Sequence, residues 1–190
     1  IKKWTQVIVG KELSKTLRGI REPGSTKISG LDSSLKQNLK TTLRPYQESG
    51  VSWLCVLYQL GLGGCLADDM GLGKTIQMIS LFLFAKKIQS EKLNALLVVP
   101  ASLIGNWSGE LEKFAPSISF QILHSSSMAK SDFRKPIKKT NNDVVITTYG
   151  MVKRIPWLKD RVWDLLVIDE AQAIKNSKTG QTLAVKKLKS

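Results

Sequence analysis

Glycine, lysine and threonine stand together at residues 71–75, where the chain reads Gly-Leu-Gly-Lys-Thr. Small residues let backbone N–H groups curl around phosphate oxygens, while a lysine can reach the β- and γ-phosphates and a hydroxyl can bind Mg²⁺. An apolar helical pattern follows directly, and a helix N-terminus attracts anions. The pattern indicates a phosphate-binding loop, although Asp68 stands where glycine is usual. A surface turn that caps a helix would share these residue types, so a second site is needed.

Two adjacent carboxylates, Asp169 and Glu170, supply that second site. They follow four consecutive apolar residues, which are typical of a buried strand in a parallel sheet. Ligands bind beyond the carboxyl ends of such strands. Asp169 is suited to hold Mg²⁺ through water, and Glu170 to orient and deprotonate an attacking water. The alternative is a strand that merely ends in solvated acids, and the upstream loop argues against it.

Short apolar strands alternate with helices along the chain. Strands are predicted at residues 64–67, 95–99, 119–123, 143–147 and 165–169, and helices at 45–61, 76–84 and 102–114. This alternation indicates a mostly parallel sheet with helices on both faces. We therefore expect an α/β three-layer sandwich over residues 31–190. Residues 1–30 are expected to form an extension or linker, and Leu31, Leu35 and Leu39 have the spacing of a short helix.

The composition favours a polyanionic partner. Lys and Arg number 29 against 15 Asp and Glu, which gives a formal charge of +14, and such an excess is typical of nucleic-acid binding. A merely soluble basic surface is the alternative, because the lysines are spread along the chain. A local basic cluster does occur at residues 134–139.

The cysteines and the histidine offer no metal site. Cys55 and Cys65 lie in apolar stretches, so we expect buried thiols in a reducing compartment. His124 is the only histidine and is expected at a strand end. No apolar run reaches the ~20 residues of a membrane span, and no secretory signal opens the chain. Because the chain begins with Ile1 and ends at Ser190 in a lysine-rich, helix-like run, we expect a fragment of a larger protein.

Five motifs in order give the chain a family resemblance. They are Leu43-Arg44-Pro45-Tyr46-Gln47, the loop Asp68–Thr75, the segment Val98–Trp107, Ile146-Thr147-Thr148-Tyr149-Gly150, and Asp169-Glu170-Ala171-Gln172-Ala173-Ile174-Lys175-Asn176. The series closely resembles the Swi/Snf-type remodelling ATPases, a branch of helicase superfamily two. The resemblance covers roughly residues 40–190, and the form with Gln172 is similar to bacterial members.

The resemblance implies a RecA-like P-loop NTPase lobe that uses ATP and Mg²⁺. Gln47 would contact the adenine edge in a pocket shaped by Arg44 and Tyr46. The phosphates would be held by Asp68, Asp69, Met70, Gly71, Leu72, Gly73, Lys74 and Thr75. The family does not require glycine at position 68, and it usually has Glu where Asp69 stands. Thr75 and Asp169 would bind Mg²⁺, and Lys74, Asp169 and Glu170 would be the catalytic residues.

The resemblance also implies contacts with double-stranded DNA. Ser102, Asn106 and Trp107 would touch the DNA backbone, although a Trp at helical spacing with Leu103, Leu111 and Phe114 more often belongs to a core. A second set, Thr147, Thr148 and Tyr149, would either touch phosphates or pack beneath that surface. Gln172 would sense a neighbouring lobe and couple the nucleotide state to DNA.

The parent protein would then be an ATP-driven translocase on double-stranded DNA that displaces bound proteins. Related proteins carry a second RecA-like lobe that supplies arginines to the ATP, and the present chain contains first-lobe motifs only and stops before the next one. The isolated lobe is therefore expected to be nearly inactive. The resemblance places the protein in the cytoplasm, associated with the nucleoid if it is bacterial. Alternatives are an RNA helicase or restriction-system motor of the same superfamily, a non-catalytic nucleic-acid-binding module, and a structural interaction domain.

Overall fold

The computed structural model describes residues 37–69, 71–90, 92–126, 133 and 142–190. The predicted extension at residues 1–30, Leu31 and Leu35 of the predicted short helix, and the basic cluster at 134–139 lie outside the described residues. The chain divides into two units, residues 1–85 and 86–190. The boundary falls inside the helix Lys74–Ile88.

Two helices dominate the described part of the first unit. Helix α1 (Pro45–Gln59) begins with a proline, which is pre-organised for a first helical turn. Its start is fixed by the Arg44 backbone N–H, which donates to Gln47 Oε1 at 2.9 Å. Helix α2 (Lys74–Ile88) is apolar around most of its circumference. Nine of the ten residues from Ile76 to Ala85 are buried. The helices predicted at 45–61 and 76–84 are thus confirmed.

The strand predicted at residues 64–67 is wrong. These residues have no strand partner in the described part of the chain, and three of the four are exposed. The end of α1 explains the difference, since the Leu62 N–H donates to Leu57 O at 2.9 Å and turns the chain back. Gly64 then lies so close to α1 that a Cβ there would be 2.6 Å from Leu57 Cδ1. The segment therefore packs along its own helix.

The two cysteines differ in their surroundings. Cys55 is buried in α1, as expected, and burial raises the pKa of its thiol, which therefore stays protonated. Cys65 is exposed, because it lies on the segment that does not form a strand. The expectation of a buried thiol is therefore right for Cys55 and wrong for Cys65, and neither forms a disulfide.

The second unit contains a parallel sheet. Its strands are β1 (Ala95–Val99), β2 (Phe120–Leu123), β3 (Val144–Thr148) and β4 (Leu165–Ile168), in the order β2-β3-β1-β4. Every pairing is parallel. The four strands predicted in this region are confirmed to within one residue, and the α/β class with a parallel sheet is confirmed with them.

Helices connect these strands, as parallel pairing requires. A 3₁₀ turn (Ala101–Leu103) leads into α3 (Ile104–Phe114) after β1, α4 (Tyr149–Arg154) follows β3, and α5 (Gly180–Val185) follows β4. The lysine-rich end was expected to be helical, and this expectation is wrong. Helix α5 ends at Val185, and Lys189 forms a parallel bridge with Val162. None of the described helices is long and apolar enough to cross a membrane.

The core of the second unit joins the central strands to α4, α5 and two tryptophans. Its buried members include Leu96, Val98, Leu123, Val145, Tyr149, Val152, Ile155, Leu158, Trp163 and Val185. Strands β1 and β3 are buried along their whole length, which is the pattern of a sheet covered on both faces. The core therefore packs the central strands against α4 and α5.

A buried carboxylate anchors the start of β3. Asp143 Oδ2 accepts hydrogen bonds from the backbone N–H and hydroxyl of Ser119, at 2.8 and 2.9 Å, and forms an ion pair with Lys86 Nζ at 3.0 Å. The Asp143 side chain is only 8% exposed. These three donors offset the free-energy cost of removing the carboxylate from water. Removal of a donor, or of the charge, would therefore destabilise the fold.

Asp143→Asn in the 190-residue chain should lower the free energy of unfolding by about 2–3 kcal/mol, because an amide keeps the shape but loses the charge that these donors stabilise. Urea unfolding followed by circular dichroism measures the loss. Asp160→Asn, at an exposed position, is the matched control. A loss no larger than that of the control would contradict the anchoring role.

Candidate functional site

The loop that precedes α2 depends on glycine at two positions. Gly71 and Gly73 have φ of +86° and +77°, in the left-handed region that side chains disfavour. A Cβ on Gly73 would also lie 2.5 Å from Gln47 Nε2. The Gly-Leu-Gly sequence is therefore required by the backbone path, and Lys74 begins the helix immediately after it.

The ammonium of Lys74 folds back over this loop. Lys74 Nζ donates to the backbone carbonyls of Asp68 at 2.8 Å and Asp69 at 2.9 Å. An ammonium has three N–H donors, so these two bonds leave capacity for an oxygen of a bound phosphate. Thr75 is half-buried in the first turn of α2, and Met70 lies outside the described residues.

The start of α1 holds the middle of the same loop. Gln47 Nε2 donates to Leu72 O at 3.0 Å, and Tyr46 Oη donates to that oxygen at 3.1 Å. Gln47 is 8% exposed, whereas Tyr46 and Arg44 are exposed. The structure thus brings the predicted adenine-contacting residues and the phosphate loop together within the first unit. The contact of Gln47 with adenine stays a prediction.

Gln77 is a site residue that the sequence analysis missed. Its side chain is fully buried, and Nε2 donates to Asp68 Oδ2 at 2.8 Å, while Oε1 has no hydrogen-bond partner among the residues that the structure describes. Gly50 makes room for it, because a Cβ there would lie 2.1 Å from that oxygen. An anchored Asp68 explains why the loop tolerates an acid in the usual glycine position. The available signal was a lone amide inside an otherwise apolar helix.

The acid pair lies where the second unit's strand β4 ends. The Asp169 N–H donates to Val98 O at 2.9 Å, so the sheet pairing continues one residue past the strand. Glu170 then turns the chain with φ +52°, a left-handed conformation that is uncommon for a residue with a side chain. Its N–H donates back to Asp169 Oδ1 at 2.9 Å.

Two aromatic side chains hold the acid pair from neighbouring elements. Trp107 Nε1, on α3, donates to Asp169 Oδ2 at 2.8 Å. Tyr149 Oη, at the start of α4, donates to the backbone oxygens of Asp169 and, at 3.2 Å, Glu170. Burial raises the pKa of Tyr149 to about 12, and the two nearby carboxylates add to the shift, so its hydroxyl stays a donor.

The DNA-contact candidates separate into exposed and buried sets. Ser102, in the 3₁₀ turn before α3, and Asn106, in the first turn of α3, are both exposed, and Asn106 Nδ2 donates to Glu110 Oε1 at 3.1 Å. The buried candidates are Trp107, Thr147, Thr148 and Tyr149. Thr147 Oγ1 donates to Leu123 O at 3.0 Å, and Thr148 Oγ1 caps α4 by accepting the Met151 N–H. Burial favours the packing interpretation for these four.

Gln172 lies beside the acid pair on an exposed turn. The 3₁₀ helix Ala171–Ile174 directly follows Glu170, and Gln172 Nε2 donates to Glu170 Oε2. Gln172 is thus exposed while it contacts one carboxylate of the pair. Its predicted role as a sensor of another lobe is untested by this arrangement and stays a prediction.

Each unit by itself contains an oxygen donor of a kind that binds magnesium. Within the described ranges no group of three or more His, Cys, Asp or Glu side chains could hold a metal ion. Mg²⁺ is commonly bound by one or two carboxylates together with substrate phosphates, not by an all-protein cage. The half-buried carboxylate of Asp169 and the hydroxyl of Thr75 are oxygen donors of the required kind.

Comparison with known proteins extends these observations. The Bacillus subtilis protein YwqA, provisionally named an ATP-dependent helicase/translocase, is 41% identical over 180 residues, which cover 94% of this chain and 19% of YwqA. The ATP-dependent helicase FUN30 of Saccharomyces cerevisiae is 36% identical and covers 87% of this chain and 15% of FUN30. The chain thus spans about a fifth or less of the length of these curated relatives.

The fold has a counterpart among solved structures. The Sulfolobus solfataricus SWI2/SNF2 ATPase core in complex with dsDNA superposes with a TM-score of 0.69 at 44% identity, over 80% of this chain and 31% of that chain. A family model described as the SNF2-related domain matches residues 46–190. Because that match covers most of the chain and agrees with the motifs from Gln47 to Gln172, the chain belongs to the family of proteins with an SNF2-related domain.

Proposed function

We propose that this chain is the ATP-binding lobe of a longer protein that couples ATP hydrolysis to movement along double-stranded DNA. The observation that carries the proposal is the loop at residues 68–75, which is shaped by two positive-φ glycines and held by Gln47 and Lys74. Membership of the SNF2-related family and the likeness to a core solved with dsDNA support it.

The first unit would bind the nucleotide. Lys74 would exchange its carbonyl partners for β- and γ-phosphate oxygens, and the backbone N–H groups of the loop and of the first turn of α2 would face the same anion. Gln47 would contact the adenine edge, with Arg44 and Tyr46 at the pocket. Since Gln47 also binds Leu72 O, it would connect base recognition to the shape of the phosphate loop.

The second unit would carry out the hydrolytic step. Asp169 would be a ligand of Mg²⁺, and Glu170 would orient a water and accept its proton. When bound, the Mg²⁺ neutralises charge that develops on the phosphate oxygens. The left-handed backbone conformation of Glu170 ends the extended path of β4 directly after Asp169, so the two adjacent residues lie in different backbone conformations.

Double-stranded DNA is the proposed partner. Ser102 and Asn106, just before and in the first turn of α3, are exposed and would contact a phosphate backbone. The excess of 29 Lys and Arg over 15 Asp and Glu favours the same polyanion. A second lobe of the longer protein would supply arginines to the ATP, and Gln172 would sense that lobe. Proteins bound to the DNA would be displaced as cargo.

In the full-length protein, Lys74→Ala should weaken ATP binding by about 10- to 100-fold, because charge-assisted hydrogen bonds to phosphate are lost. Glu170→Gln should leave binding nearly intact and lower kcat by about 10²- to 10⁴-fold, because the general base is removed. Nucleotide titration and steady-state ATPase assays measure the two effects.

Lys87→Ala on the exposed end of α2 and Glu112→Gln on the exposed face of α3 are the matched controls. Both should retain wild-type binding and turnover. Full ATPase activity in Glu170→Gln would exclude the proposed base, and unchanged nucleotide affinity in Lys74→Ala would exclude the proposed phosphate contact.

Duplex DNA should stimulate ATP hydrolysis by the full-length protein, whereas residues 1–190 alone should hydrolyse almost nothing. The reason is that an arginine supplied from outside the phosphate site is worth about 10³–10⁵ in rate in related phosphoryl-transfer sites. ATPase assays with duplex DNA, RNA and no nucleic acid, at matched salt, measure this.

Three outcomes would contradict parts of the proposal. Stimulation by RNA and not by duplex DNA would indicate an RNA helicase instead. DNA binding without ATPase in the full-length protein would indicate a non-catalytic module. Strong DNA-stimulated turnover by residues 1–190 would remove the need for a second lobe.

A further inference from the structure

The carboxylate of Asp169 is held at both oxygens before any ligand is considered. Oδ2 accepts the Trp107 indole N–H at 2.8 Å, and Oδ1 accepts the Glu170 backbone N–H at 2.9 Å. Each carboxylate oxygen can accept more than one hydrogen bond, so both retain capacity for a further partner. The two donors restrict rotation of the Asp169 carboxylate about its Cβ–Cγ bond, and they fix its plane relative to α3.

The indole donor is shielded from water. Trp107 is 3% exposed, and its bond joins α3 to the residue after β4, 62 positions away in sequence. A side-chain hydrogen bond that is protected from competing water is worth more than an exposed one. Helix α3 therefore constrains Asp169 through a specific polar contact, in addition to the packing of the indole ring.

Tyr149 constrains the backbone of the same pair. Its hydroxyl contacts the carbonyl oxygens of both Asp169 and Glu170, on either side of the left-handed turn at Glu170. A left-handed conformation of a residue with a side chain costs of order 1–3 kcal/mol and persists only where surrounding contacts enforce it. The hydroxyl of Tyr149 and the carboxylate of Asp169 are two such contacts.

We propose that Trp107 and Tyr149 are positioning residues for the acid pair. Trp107 orients the Asp169 carboxylate toward a divalent cation, and Tyr149 holds the turn that directs Glu170. This proposal rests on the proposed function, since it takes Asp169 as a cation ligand and Glu170 as the general base. Neither aromatic side chain touches substrate in this role, and Trp107 then acts through its N–H, away from the DNA surface.

Removal of a hydrogen-bond partner behind a metal ligand typically lowers metal affinity by 10- to 100-fold. Trp107→Phe in the full-length protein keeps an aromatic ring but loses the N–H. We expect its affinity for Mn²⁺, used as the probe in the presence of a non-hydrolysable ATP analogue, to fall by about tenfold. Electron paramagnetic resonance of free Mn²⁺ measures this affinity without any turnover.

Trp163→Phe is a matched control for Trp107→Phe. Trp163 is 1% exposed in the same unit, and its indole N–H donates to Leu158 O at 3.1 Å, away from the acid pair. It should keep the wild-type Mn²⁺ affinity, although it loses an equivalent buried hydrogen bond. Equal Mn²⁺ affinities for the two variants would overturn the role of Trp107, whereas a loss confined to Trp107→Phe supports it.

Tyr149→Phe tests the second half of the proposal independently. It keeps the buried ring and removes only the hydroxyl, so we expect kcat to fall by about tenfold while the Mn²⁺ affinity stays within about twofold of wild type. A wild-type kcat would overturn the role of Tyr149. If the wild-type protein itself bound no Mn²⁺ with the nucleotide analogue, the proposed function would fail, and the positioning roles with it. That result is distinct from a variant that behaves like wild type.

Discussion

Parallel pairing of β1 with both β3 and β4 is the constraint on which the acid pair depends. Val98 pairs with Thr147 on one side and Ile168 on the other, so the three strands end at nearly the same level. The chain leaves each strand at that common edge and enters α3, α4 or the turn at Glu170. Trp107 and Tyr149 therefore reach Asp169 from separate elements, although they are far from it in sequence. A one-residue slip in the register would move Asp169 to the other face of the sheet and break both contacts.

Most of the helices and strands could be predicted because each left a local signal in the sequence. Residues 95–99 form an uninterrupted apolar run, and the observed β1 has the same bounds. The Gly-Leu-Gly-Lys-Thr sequence predicted a loop followed directly by a helix, and α2 begins at Lys74. Periodicity also gave the burial of Trp107 in α3, since its spacing with Leu111 places both on one face.

The hydrogen bonds that hold Asp68 and Asp169 could not be predicted from the sequence, because they depend on which elements become neighbours in the fold. Apolar spacing predicts that an indole is buried, but not that its N–H meets a carboxylate 62 residues away. Gln77 was missed for the same reason, since an amide in an apolar helix gains its partner, Asp68, only through the path of the loop. The strand expected at 64–67 does not form because Gly64, which has no Cβ, lets the chain pass close to α1. Gly64 and Ala67 also offer little side-chain surface to stabilise a strand.

The phosphate loop of the first unit and the acid pair of the second unit are each built on the same physical principle, although their elements differ. Each places its charged group at the end of an element where the backbone leaves the regular path, at Gly73 before α2 and at Glu170 after β4. In both places a side chain from an element that is earlier in the chain donates a hydrogen bond to a backbone carbonyl of the irregular segment. Gln47 Nε2 donates to Leu72 O, and Tyr149 Oη donates to Glu170 O. A carbonyl that lies outside a helix or sheet needs such a donor once it is shielded from water. The side chains that donate to these carbonyls thereby also fix the positions of Lys74 and Glu170. The same contacts satisfy the backbone carbonyls and place the charged groups.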